Sequence, residues 1–196
     1  MLRPYQDKAI ASVELEFGRC KSTLVVMATG TGKTIVLSEI ARREVLRGGR
    51  VLILAHRGEL LQQAIEKIFK FTGIQCGLEK ADETSEVGCD DMPYTIVVGS
   101  IQSMCRESRL NRFSSDEFSL LITDEAHHSL SNTYKIIYSH FPNARLLGVT
   151  ATPDRGDLRS LSEVFQTIAY EYSIVDAIHD KWLSPVYVQT VPLRID

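Results

Sequence analysis

The sequence predicts an α/β domain with a mostly parallel central sheet and helices on both faces. Three observations lead there. Short runs that are apolar at every position alternate with longer stretches of helical period, the pattern of strands buried on both sides. A glycine-rich turn, Thr29-Gly30-Thr31-Gly32-Lys33-Thr34, stands between one such run and the helical stretch after it. An acidic pair, Asp124-Glu125, closes another apolar run, at the strand end where open parallel sheets collect ligands.

The elements follow in chain order. Leu24 to Met27 reads as a buried strand, and Thr34 to Leu46 as a helix stopped by Gly48-Gly49. Val51 to Ala55 is the next strand, followed by a helix over Glu59 to Phe71. From Gly73 to Pro93 the chain turns acidic and loop-like, with a short strand expected near Ile74 to Leu78. Thr95 to Val98, Leu120 to Thr123 and Leu146 to Thr150 repeat the strand signal, and Trp182 to Ile195 forms a last β-rich run. Tyr134, Tyr138 and Phe141 have the spacing of a packed helix face, and Arg42, Arg43 and Arg47 that of a solvated one.

Composition narrows the function classes. With 196 residues there is room for one ordinary domain, residues 1–196, and 44% hydrophobic against 24% charged residues describes a globular chain with a sizeable core. The net charge of −3 supplies no general basic field, so nucleic acid must be met by a local patch. Cys20, Cys76, Cys89 and Cys105 lack metal-ligand spacing, so no zinc is expected and a reducing compartment is. No apolar run reaches bilayer length and Met1 to Pro4 does not open a signal peptide, so the expected location is cytoplasmic with no membrane contact.

The glycine-rich turn carries the first chemistry. In the strand-to-helix setting, Gly30 and Gly32 let backbone N–H groups converge on phosphate oxygens at the positive end of a helix. Lys33 then reaches the outer phosphates, and the Thr34 hydroxyl is placed for Mg²⁺. The usual pattern has a glycine where Met27 stands, which leaves Met27 to the end of the strand. Adjacent carboxylates at a strand end diverge, so Asp124 is assigned to the metal and Glu125 to the base that activates a water.

Asp124-Glu125-Ala126-His127 resembles the DEAH-type box of superfamily 2 helicases. The phosphate loop common in that superfamily, A-x-x-G-x-G-K-T, is similar to Ala28 to Thr34, although Ala28 lies one place nearer the glycines. Further motifs follow in the family's order. Leu2-Arg3-Pro4-Tyr5-Gln6 resembles the adenine-reading motif, which implies ATP contacts from Arg3 and Gln6 alongside Thr29, Gly30, Thr31, Gly32, Lys33 and Thr34. Ala55 to Leu60 is similar to motif Ia and Val98 to Gln102 to the next strand-contacting motif, implying nucleic-acid contacts from Arg57, Ser100 and Gln102. Thr150-Ala151-Thr152 looks like motif III, which implies that His127, Thr150 and Thr152 couple nucleotide state to strand binding.

The resemblance implies a RecA-like P-loop NTPase fold and an ATP- and Mg²⁺-dependent motor. Its partner is nucleic acid, DNA ahead of RNA, as in repair helicases and restriction-enzyme motors. It further implies a second RecA-like domain, absent from this chain, that supplies an arginine finger; without it hydrolysis is expected to be weak. The alternatives are an RNA-directed helicase, a regulatory P-loop NTPase, and a nucleotide- or DNA-binding module without motor activity.

Overall fold

The computed structural model describes residues 2–55, 58–81, 83–85, 92–151 and 160–185, with backbone alone for 58–60. Seven strands form one sheet: β1 (Ser22–Met27), β2 (Val51–Ala55), β3 (Cys76–Glu79), β4 (Ile96–Ser100), β5 (Leu120–Asp124), β6 (Arg145–Thr150) and β7 (Thr167–Tyr172). Their order is β3-β4-β2-β5-β6-β1-β7, and every paired strand runs parallel to its neighbour. Parallel neighbours need crossovers, and among the described residues α2 (Lys33–Leu46), α3 (Gly58–Thr72), α4 (Ile101–Met104), α5 (Glu107–Leu110) and α6 (Asn132–His140) lie on them, while α1 (Pro4–Phe17) precedes β1 and α7 (Ile174–His179) follows β7.

Alternation along β2 shows how both faces are filled. Val51, Ile53 and Ala55 join a core with Ile10 and Val13 of α1, Val36 and Ile40 of α2, and Leu61 and Ile68 of α3. Leu52 and Leu54 point the other way, into a core with Met104 of α4, Leu110 of α5, and Tyr134 and Ile137 of α6. The expected helical face holds: Tyr134 and Phe141 are buried, and Tyr138 is half-buried with its hydroxyl bonded to Thr123 and Ser129.

Three expectations differ. The short strand begins at Cys76 rather than Ile74, because Ile74 N–H is taken by the Thr72 hydroxyl at 3.1 Å just after the left-handed Gly73. The β-rich run at Trp182 contains no strand through Ser184-Pro185, and the rest of it lies outside the described residues. Among the described residues the last strand is β7, which the sequence does not announce and which pairs with β1 at the sheet edge. Arg42, Arg43 and Arg47 are more than a solvated face. Arg42 and Arg43 fork onto the buried Glu39 at 2.8 and 2.9 Å, while Arg43 and Arg47 reach across to Glu14 of α1.

At the opposite end of the sheet from the glycine-rich turn, Glu44 closes α2 onto β5 and β6. Its carboxylate, 6% exposed, accepts from Arg145 and from the Ser119 hydroxyl. Removing one member of such a set leaves the others desolvated without a partner. Glu44→Ala should therefore cost about 1–3 kcal/mol, measured as a lower urea midpoint at unchanged slope.

Candidate functional site

The glycine-rich turn joins β1 to α2 as the sequence predicts. Met27 is fully buried at the end of β1, and Ala28 N–H continues the pairing to the Tyr172 carbonyl at 3.0 Å. Gly30 and Gly32 both adopt left-handed backbone, φ +86° and +85°. In Gly32 this conformation serves as the cap of α2.

What holds the turn comes from α1. The Thr31 carbonyl accepts from the Tyr5 hydroxyl at 2.7 Å and from the Gln6 amide Nε2 at 3.0 Å. Gln6 Oε1 accepts from Arg3 N–H at 2.9 Å, so both ends of the amide are engaged. Thr31 itself departs from the expected role. Its side chain is 0% exposed, its hydroxyl donates to the Ala28 carbonyl at 2.6 Å, and its N–H bonds to the same carbonyl. Thr31 is the clasp of the turn, with no polar group of its own turned to the cleft.

Thr29, Gly30, Gly32, Lys33 and Thr34 line one wall of an open cleft of about 380 Å³. Asp124 and Glu125 line another, and Gln63, Ala64 and Lys67 of α3 a third. Four residues expected to act together, Lys33, Thr34, Asp124 and Glu125, thus meet in one space although the two pairs are far apart in sequence. The α3 wall carries no signal in the sequence; only the packing of α2 on α3 brings it over the turn.

The two carboxylates diverge because Glu125 takes a left-handed backbone, φ 52° and ψ 52°, rare for a residue with a side chain. Glu125 N–H donates to Asp124 Oδ1 at 3.0 Å. Burial, and next the neighbouring Glu125 charge, push the Asp124 carboxyl above the usual aspartate range against the pull of Lys33 and Lys67. Glu125 points outward, its side chain 42% exposed, with Oε2 3.4 Å from His127 Nδ1. The same nitrogen lies 3.1 Å from the Thr150 hydroxyl at the end of β6.

The other expected residues fall as follows. Arg3 lies on the adjacent surface, its guanidinium 4.7 Å from the Trp182 ring centroid and bonded to the Tyr5 hydroxyl at 3.0 Å. Ser100 is 4% exposed, and its hydroxyl caps α4 by accepting from Ser103 N–H at 3.2 Å. In this conformation its oxygen serves the fold rather than a surface contact. Gln102 is exposed on α4. Arg57 and Thr152 lie outside the described residues.

The cleft's donor set fits Mg²⁺ with a nucleotide triphosphate. A hydroxyl at the helix start and a carboxylate opposite are hard oxygen ligands of the type Mg²⁺ takes alongside phosphate oxygens. Left-handed glycines let the backbone of the turn curl at the start of α2, where N–H groups favour anions. Thr34 and Asp124 are the residues that would hold the metal.

A glycine-rich turn at the end of one strand, an acidic pair two strands away and a histidine bridging to the strand between them define a RecA-like domain of the superfamily 2 type. Residues 1–155 match the family described as "Type III restriction enzyme, res subunit", and the chain belongs to that family. Saccharomyces cerevisiae IRC3, which its name places among ATP-dependent helicases, is 34% identical over 213 residues, covering 100% of this chain and 30% of the relative. The chain thus spans about a third of the length of such curated relatives. Among solved structures, the UvsW helicase of bacteriophage T4 superposes with a TM-score of 0.70 at 17% identity, covering 86% of this chain and 59% of its own. A nuclease-deletion mutant of the Type ISP restriction-modification enzyme LlaGI, in complex with a DNA substrate mimic, also gives 0.70, at 20% identity, covering 92% and 20%.

Two predictions follow from this geometry. A Cβ on Gly32 would lie 2.6 Å from Gln6 Nε2, whereas one on Gly48, at a similar φ of +82°, meets nothing within 4 Å. Gly48→Ala should cost only the backbone strain, about 1 kcal/mol. Gly32→Ala should cost measurably more in the same denaturation experiment, because it also breaks the clasp. The second concerns Asp124. Its folded pKa is raised, so the ionised carboxyl costs stability at pH above that value, and the cost fades as pH falls to the ordinary aspartate value. Asp124→Asn should raise Tm at neutral pH, by about 2–4 °C for each kcal/mol relieved. The gain should disappear in melts near pH 4.

Proposed function

We propose that this chain is the ATP-binding domain of a helicase or translocase that couples Mg²⁺-ATP hydrolysis to movement on, or unwinding of, DNA. The observation that carries the reading is the meeting of Lys33, Thr34, Asp124 and Glu125 in one cleft, with His127 between Glu125 and Thr150. Family membership and the helicase names of the relatives support it. A DNA complex among the structural neighbours supports DNA as the nucleic acid.

Each residue then has a task. The Gly30 to Thr34 turn and the Lys33 ammonium hold the outer phosphates, and Arg3 and Gln6, which brace the turn from α1, are the adenine-side residues that the motif implies. Bound Mg²⁺ supplies charge neutralisation to the phosphates. Glu125, exposed to the cleft, orients a water and takes its proton, since an outward carboxylate accepts from solvent that a buried one does not meet. His127 ties this residue to Thr150 and so to the motif III segment. Arg57 and Gln102 belong to the strand-facing role and Thr152 to the coupling role that the motifs imply, while Ser100, buried as the cap of α4, holds the start of that helix. A second RecA-like domain in the longer protein completes the site with an arginine finger, whose absence lowers turnover on the order of 10³–10⁵. Among the described residues no helix is long and apolar enough to cross a membrane, and Cys20, Cys76 and Cys105 are free thiols. A reducing cytoplasmic setting suits both.

The test is ATP hydrolysis by the full-length gene product with no nucleic acid, single-stranded DNA, duplex DNA or RNA. Stimulation by DNA is the expected result. Hydrolysis indifferent to every nucleic acid would overturn the motor reading, and stimulation by RNA alone would overturn the choice of DNA. Lys33→Ala should lose Mg²⁺-nucleotide binding. Glu125→Gln should bind normally yet turn over about 10²–10⁴-fold more slowly.

A further inference from the structure

We propose that Lys67, with Gln63 one turn before it on α3, forms a second phosphate-binding arm that distinguishes a nucleoside triphosphate from the diphosphate. This rests on the nucleotide reading of the cleft given above and adds residues that none of the motifs contain.

Helical spacing brings the two residues together. Leu61 and Ile68 turn inward to the core, Gln62, Glu66 and Phe69 are exposed, and the i, i+4 pair Gln63 and Lys67 borders the cleft with Ala64 between them. α3 therefore lines the same cleft as the glycine-rich turn and Lys33. Lys67 is also close enough for its charge to act on Asp124, as that of Lys33 does.

Its freedom to act is the second observation. The arginines of α2 are committed to Glu39 and Glu14. Lys67 makes no ion pair among the described residues, and its side chain is exposed. A lysine on a helix surface is ordinarily just a solvating group. This one borders a concave site that also holds two carboxylates and one other lysine. Two positive charges against two negative ones leave the cleft neutral; without Lys67 it carries a net charge of −1, which repels an anionic ligand. Lys33 follows the turn and serves the phosphates held there. Lys67 lines the cleft together with Asp124 and Glu125 and lies near enough for its charge to act on Asp124, so a terminal phosphate served by these carboxylates comes within its reach. A flexible ammonium with three donors suits a phosphoryl group better than the adenine base.

The test compares Mg²⁺-ATPγS and Mg²⁺-ADP affinities by calorimetry for the wild type, Lys67→Ala, Lys67→Arg and Lys70→Ala. Lys70 lies three residues further along α3 and does not border the cleft, so it controls for general charge. Loss of one charge-assisted contact of about 1.5–3 kcal/mol corresponds to about 10- to 150-fold weaker ATPγS binding. Lys67→Ala should show that loss with little change for ADP, Lys67→Arg should restore most of it, and Lys70→Ala should bind both ligands as the wild type does. Equal weakening of both ligands by Lys67→Ala, or no weakening of either, overturns the assignment while leaving the nucleotide site intact. A wild type that binds neither ligand overturns the nucleotide reading itself, and this inference with it. Because Lys67 is exposed, unchanged melting of the ligand-free variants confirms that folding is not what changed.

Discussion

The Thr31 carbonyl and the two donors that α1 sends to it set the shape of the whole site. A trans peptide is planar, with its C=O and N–H pointing in opposite directions. Holding the Thr31 oxygen toward Tyr5 and Gln6 therefore turns the Gly32 N–H away from α1. Left-handed backbone at Gly30 and Gly32 is the conformational consequence, and α2 starts immediately after it. α1 can act as this anvil because it is itself fixed. Tyr5 stacks on Tyr172 of β7 with centroids 4.3 Å apart, and β7 pairs with β1, the strand that delivers the turn. The dependence closes a loop: β1 to turn, turn to α1, α1 to β7, and β7 back to β1.

A second constraint is electrostatic. A fully parallel sheet buried on both faces offers its polar chemistry only at its carboxyl edge, so opposite charges accumulate there in a small volume. Asp124 stays near that edge with a carboxyl made harder to ionise by burial and by Glu125. Glu125 is turned outward by its left-handed backbone, a conformation that costs about 1–3 kcal/mol and persists only where neighbours over-determine it. Those neighbours are present. Asp124 accepts from its N–H, His128 donates to its carbonyl at 3.1 Å, and the fully buried Ala126 anchors the turn that follows.

Which parts were legible in the sequence follows from how far each signal reaches. Strands β1, β2, β4, β5 and β6 announce themselves because all or nearly all of their positions are buried, leaving runs such as Val51 to Ala55 without a polar residue. The edge strand β7 reads Thr-Ile-Ala-Tyr-Glu-Tyr and is mostly half-exposed, so its residues look like those of a loop. Lys33, Thr34, Asp124 and Glu125 were recognisable because residue type and strand-end position alone suggest their chemistry. Thr31 was not, since T-G-T-G-K-T reads the same whether that threonine faces out or in. Arg43 and Arg47 were placed in solvent because their partner, Glu14, is on another helix. Gln63 and Lys67 are ordinary helix-surface residues until α3 folds over the turn.

The link from Glu125 to β6 runs through one nitrogen with two claimants. His127 Nδ1 lies 3.1 Å from the Thr150 hydroxyl and 3.4 Å from Glu125 Oε2. A ring nitrogen has one hydrogen or one lone pair in its plane, so it cannot bond both at full strength. The shorter contact takes precedence and fixes the ring to β6, leaving the glutamate with a long, weak one. That inequality suits the base role proposed for Glu125. A carboxylate held by a short bond from a histidine has fewer lone pairs open to a water, whereas a loosely held one stays accessible and still has its direction set. It also makes the position of Thr150 matter to Glu125, because any shift of β6 that loosens the first contact frees the imidazole to strengthen the second.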